Sequence, residues 1–122
     1  MKKILLMLVA LIATSFSAMA EDIYIVAGSE ELCGTAWDCT DLNNKMTDNG
    51  DGTYSKTFTN VAAMNGYQFK VTKNGTEWYG DEAGNNITFN VTTACDVTIT
   101  FNATTFKSTV TGSGVQAYVF NV

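Results

Sequence analysis

Lys70, Trp78 and the adjoining Asn85 and Asn86 are residue types that can grip a sugar together. The C–H face of a pyranose packs on an aromatic plane. Its hydroxyls take directional hydrogen bonds from a lysine ammonium and an asparagine amide. The spacing decides whether these groups can meet. Tyr67, Phe69 and Val71 alternate with Gln68, Lys70 and Thr72, so the first set faces a core and the second faces away. Asn74-Gly75 suits the positive backbone angles of a tight hairpin. The return strand carries Trp78 and Tyr79 back beside Lys70. A Gly84-Asn85-Asn86 turn then leads into a new strand at Ile87.

Trp37 is the other aromatic candidate, in a loop-like run between Gly34 and Asp38. A lone tryptophan more often plugs a core, and a lone lysine is usually just solvated. Their company is what points to a ligand. Each aromatic contact adds roughly 1 kcal/mol beyond area burial, by analogy with aromatic pairs. Two such contacts and two or three hydrogen bonds give affinities on the order of micromolar to millimolar. That suffices for a module working by avidity or proximity.

The elements that position these residues are strands. Candidate strands are Ile23–Ala27, Lys45–Thr47, Thr53–Val61, Tyr67–Lys73, a run from Ile87 to Val91, another from Val97 to Phe101, and Phe106–Thr111. Ala117–Val122 is a further candidate, closing the sheet as an edge. The 28–41 stretch reads as irregular, and no segment after residue 20 has helical periodicity. Strands recurring about every ten residues argue an all-β fold, an antiparallel sandwich of about seven to eight strands. Asp48 and Asp51 invite a calcium reading, but too few oxygen ligands accompany them, and a hairpin turn explains them better.

The chain has 122 residues. Lys2 and Lys3, an apolar run from Ile4 to Ile12 and Ala18-Met19-Ala20 read as a secretory signal peptide, residues 1–20, cut after Ala20. The run is short for a membrane span. Residues 21–122 are then one secreted or periplasmic domain. Its Lys45, Lys56, Lys70, Lys73 and Lys107 face 12 acidic residues, net −7, so nucleic acid would be repelled. The sequence holds no His, the commonest general base and metal ligand. Neither an enzyme nor a metal or other cofactor is expected. Cys33 and Cys39 can close a small disulfide loop around Trp37, while pairings with Cys95 stay open.

The order Val-Ala-Gly-Ser (26–29), Gly-x-x-Trp-Asp (34–38), Lys-Met-Thr-Asp-Asn-Gly-Asp-Gly-Thr-Tyr (45–54), Tyr-Gln-Phe-Lys-Val (67–71), Trp-Tyr-Gly (78–80) and Gly-Asn-Asn-Ile (84–87) resembles small immunoglobulin-like modules found beside pullulanases and other amylolytic enzymes. It is similar also to glycogen- and starch-binding modules of the isoamylase N-terminal type. The resemblance runs from about Ile23 to Gly112. It implies an immunoglobulin-like sandwich that binds α-glucan without hydrolysing it. It implies contacts with glucose units from Trp37, Lys70, Trp78 and Asn86, with Asn85 as the alternative to Asn86. Tyr79 joins this set by adjacency. The chain departs from the pattern in its Cys33/Cys39 pair and in lacking an attached enzyme.

Three expectations compete. The first is an α-glucan-binding module, working with an amylolytic enzyme or a surface glycan-uptake assembly; it needs Trp37 and Trp78 exposed beside Lys70. The second is a sandwich that binds a protein partner, which would keep its tryptophans buried and offer the Ala117–Val122 edge for strand addition. The third is an inhibitor of an amylolytic enzyme. Fold alone does not separate them.

Overall fold

The computed structural model describes residues 21–117. The expected signal segment and residues 118–122 of the expected closing edge lie outside the described residues. The strands are β1 (Tyr24–Gly28), β2 (Thr47–Asp48), β3 (Thr53–Val61), β4 (Met64–Lys73), β5 (Glu77–Tyr79), β6 (Ile87–Val91), β7 (Cys95–Asn102), β8 (Lys107–Thr111) and β9 (Val115–Ala117). They form two antiparallel sheets. One runs β1-β4-β6-β9, with β5 also paired to β4; the other runs β2-β3-β7-β8. This is the expected two-layer sandwich, with nine strands among the described residues where about seven to eight were expected.

Period-two patterning explains the layers. Tyr67, Phe69 and Val71 of β4 are buried, as are Phe89 and Val91 of β6. Val97, Ile99 and Phe101 of β7 close the core from the opposite sheet. Tyr67 stacks on Phe89 at 5.3 Å, and Phe69 meets the same ring edge-on at 6.0 Å. The Tyr67 hydroxyl donates to Ala62 O at 2.6 Å, so its polar tip is satisfied where the ring is buried.

β1 departs from simple alternation, because all five of its residues are buried. Tyr24 and Val26 join the core, while Ile25 and Ala27 face the other way. The segment after α1 (Glu30–Cys33) shields that second face. Ala36 bridges Gly28, Lys45 bridges Ile25, and Met46 N donates to Tyr24 O at 2.8 Å. α1 and a 3-10 turn at Leu42–Asn44 thus fall within or just after the stretch read as irregular. They are too short to leave a helical period in the sequence.

The expected Cys33–Cys39 disulfide is not formed. α1 turns Cys33 inward, where its Sγ lies 3.8 Å from Val26 O. The chain after Gly34 carries Cys39 away, to within 3.8 Å of Gly75 O on the β4–β5 hairpin. Cys95 Sγ accepts from Gly114 N at 3.3 Å. The Asp48–Thr53 loop is the turn expected. Asp48 Oδ1 accepts from Gly50 N at 2.8 Å, and Asp51 Oδ1 from Thr53 N at 3.0 Å. These are side chains bonding their own backbone two residues on.

Candidate functional site

β4 is the spine of the site. It pairs with β1 along Gly28↔Phe69 to Tyr24↔Lys73. On its other side it pairs first with β6 and then with β5. The Asn74-Gly75 turn joins β4 to β5, with both residues at positive φ, 53° and 70°. Asn74 also fixes this tip to the start of the described chain. Its N–H donates to Ile23 O at 2.8 Å, and its Oδ1 accepts from Ile23 N at 2.8 Å.

Register then places the side chains. Trp78 is paired with Thr72, so its ring shares the outward face with Thr72 and Lys70. Trp78 is 41% exposed. One step along the same register, Gly80 falls opposite Lys70. The β4–β6 register ends at Phe69↔Ile87, with Asn86 just before it. Lys70 therefore lies between the end of β5 and the start of β6. A Cβ at Gly80 would come 3.1 Å from Lys70 Cε and 2.0 Å from Asn85 O. The lysine stem passes over the glycine, in a space only glycine leaves open.

Asn86 is held ready by Gln68. Its Nδ2 donates to Gln68 Oε1 at 3.1 Å, and Gln68 lies two residues from Lys70 on the same face. Asp81 shapes the loop before it: Oδ1 accepts from Ala83 N at 2.9 Å and from Asn85 N at 2.8 Å. Asn85 is exposed, and its carbonyl accepts from Asp81 N at 2.9 Å. Of the two asparagines, Asn86 is the one bonded to the outward-facing Gln68.

Trp37 is 36% exposed and has φ 55°. Its N–H donates to Gly28 O at 2.9 Å. The rest of its loop is pinned by Asp41, whose Oδ2 accepts from Thr35 Oγ1 at 2.7 Å and whose Oδ1 accepts from Asn43 N at 3.0 Å. The Thr35 hydroxyl, followed by the Asn43 N–H, holds this carboxyl below the ordinary range. The Cys39–Gly75 contact ties the loop to the hairpin that carries Trp78.

Tyr79 is placed differently. It pairs with Val71 and so faces the core side. Its ring packs on Phe101 at 5.3 Å and stacks on Phe106 at 4.8 Å, with 2° between the planes. Burial, and then the nearby Glu77, push its hydroxyl pKa up. Adjacent strand residues point to opposite faces, so Trp78 and Tyr79 cannot share one platform. The structure thus puts Lys70 and Trp78 on one face of the hairpin, bonds Asn86 to Gln68 of that face, links the Trp37 loop to the hairpin through Cys39, and turns Tyr79 to the other face.

Three residues escaped the sequence reading. Gln68 carried a signal, being i−2 to Lys70 on an alternating strand. Gly80 carried one too, as the glycine ending a short strand beside that lysine. Phe106 was read as the first residue of a strand. It instead sits in the β7–β8 turn, 50% exposed, at φ 63°. Trp37 and Phe106 share that left-handed conformation with Asn60 and Asn74. Asparagine adopts it readily, whereas a bulky ring is strained there, at a cost of order 1–3 kcal/mol.

The family described as the pullulanase X25 domain matches residues 24–108. Among solved structures, the pullulanase from Bacillus acidopullulyticus is similar, with a TM-score of 0.64 and 16% identity over 75% of this chain. The chain spans 11% of that enzyme. At that identity the likeness concerns the fold. No curated protein matches the chain.

Proposed function

Because the chain belongs to the pullulanase X25 domain family, we propose that it is a non-catalytic module that binds α-glucan through the outward face of β4 and β5. The observation that carries this reading is that Trp78 stands exposed on the β4–β5 hairpin, on the strand face that also carries the partly covered Lys70, whose stem passes Gly80, and Gln68, which is bonded to Asn86. Trp78 offers a flat apolar plane for a sugar ring. Lys70 Nζ and the Asn86 amide offer hydrogen bonds to its hydroxyls. Gln68 orients the amide, and the lysine stem lying over Gly80 restricts the ammonium before any ligand arrives. Such preorganisation lowers the ordering cost of binding. Trp37 supplies the second aromatic wall from the loop tied to Gly75.

The protein-binding reading expected buried tryptophans. Both are exposed, which favours the sugar reading. Export with cleavage after Ala20 belongs to the same proposal and rests on residues 1–20. Outside the cell the module would hold starch-like polymer near an amylolytic enzyme or a glycan-uptake assembly.

Affinity electrophoresis through gels containing starch, glycogen, pullulan or cellulose tests the reading. The protein should be retarded by α-glucans and not by cellulose, and Trp78→Ala should remove the retardation. Unchanged mobility of the wild-type protein in all four gels would overturn the glucan assignment. Retardation that survives Trp78→Ala would overturn the site.

A further inference from the structure

We propose that the open corner of the sandwich, between Gly80–Gly84 and the β7–β8 turn, is a second pyranose subsite with Phe106 as its platform, continuous with the first through Trp78. The proposal rests on the glucan-binding reading above and extends it to a longer stretch of the same polymer.

A groove of about 620 Å³ occupies this corner, and Trp78, Tyr79, Ile87, Phe106, Lys107 and Ser108 contribute to its lining. Its apolar part is a two-layer aromatic stack. Tyr79 lies beneath, braced by Phe101, and Phe106 lies on it, half exposed. The β7–β8 turn presents Phe106 at some strain. Its N–H donates to Asn102 O at 2.8 Å, and Asn102 Oδ1 accepts from the Thr104 and Thr105 N–H groups. At φ 63° the turn stacks one face of the Phe106 ring on Tyr79 and leaves half of the residue exposed to the groove.

The polar groups suit a neutral, hydroxyl-rich ligand. Ser108 Oγ is buried and is the side-chain N or O atom, among the described residues, left without a hydrogen-bond partner. Lys107 pairs with Glu82 across the mouth at 3.1 Å. Asp81 spends its Oδ1 on Ala83 and Asn85. The groove therefore presents no surplus of positive charge to select an anion. Its apolar floor and polar rim match the C–H face and the hydroxyls of a pyranose. Trp78 lines this groove and also stands on the Lys70 face. A chain passing from the first site to the second would round the short β5 edge at Trp78.

Isothermal titration with maltotriose and maltoheptaose tests the extension. The wild-type protein should bind maltoheptaose about fivefold or more tighter than maltotriose, one further aromatic contact's worth. Phe106→Ala should remove that advantage and leave maltotriose affinity in place. Phe106→Asn should do the same while relieving the turn, since asparagine accepts positive φ; it keeps the test open where the alanine variant unfolds. Equal affinities of the two sugars for the wild-type protein would overturn the second subsite. So would a length advantage that survives Phe106→Asn while Trp78→Ala weakens both sugars, an outcome that leaves the first site standing. A parallel loss of both sugars in Phe106→Asn would also overturn it. No heat with either sugar would overturn both readings together.

Discussion

On one face of the β4–β5 hairpin, Tyr67, Phe69 and Val71 are sealed against Phe89 and the opposite sheet. On the other, Gln68 and Lys70 are only partly covered and Trp78 is open to solvent. The two faces use the same backbone and differ by one residue of register. The core face contributes stability through apolar burial. The outward face holds its polar groups in place through bonds such as Asn86 to Gln68 and Thr72 to Ile25 O, leaving Trp78 open to solvent. Neighbours in sequence therefore have different roles, and the contrast is sharpest at Trp78 and Tyr79.

The largest expected effect lies on the core face. Phe69→Ala should cost about 3–5 kcal/mol, measured by urea unfolding, with glucan retention falling only where the fold is lost. Gly80→Ala should blur the contrast, because its Cβ would meet Asn85 O at 2.0 Å and crowd Lys70 Cε. A loss of about 1–3 kcal/mol together with weaker glucan binding is expected. Stability unchanged in that variant would mean the β5–β6 connection yields freely.

The two thiols extend the comparison. Burial pushes the Cys33 thiol up to about 11 from its ordinary 9.0, and Cys33, at the end of α1, is turned inward against β1. Its folded state holds the proton more tightly than the unfolded chain does. The stability this brings is intact below about pH 9 and falls as pH rises toward 11, by on the order of 1–2 kcal/mol in a pH series of unfolding midpoints. The buried tyrosines Tyr24 and Tyr67, also raised by desolvation, act in the same direction above pH 10. Cys39, at the surface loop, should react with a maleimide well before Cys33 does; the reverse order would mean α1 opens easily. The smallest effect belongs to Lys70→Met. It keeps the stem over Gly80 and removes the ammonium, so affinity should drop about threefold while the unfolding midpoint stays put.

Much of this was readable in the chain because period-two patterning is a local signal. β3 occupies Thr53–Val61 as its alternation indicates, and the Asn74-Gly75 hairpin forms as its dipeptide indicates. Lys70 and Trp78 emerge on one face for the same reason. What escaped depends on contacts distant in sequence. The inward turn of Cys33 follows from α1 packing beside β1, and the reach of Cys39 follows from Gly75, 36 residues away. Phe106 looked like a strand residue because aromatics favour strands. Its turn conformation is instead imposed by Asn102 capping the hairpin. That Tyr79 faces away from Trp78 was readable too, since strand geometry alone separates them.

β5 is only three residues long, Glu77–Tyr79. An exposed edge strand carrying a tryptophan would ordinarily invite a second copy to pair along it, and length is what makes such an edge adhesive. Here the edge begins with an acidic residue and ends at Gly80, where the chain turns away, so a neighbour would find very few rungs. Copies brought close together, each with Trp78 exposed, would then find little along β5 on which to build a shared sheet.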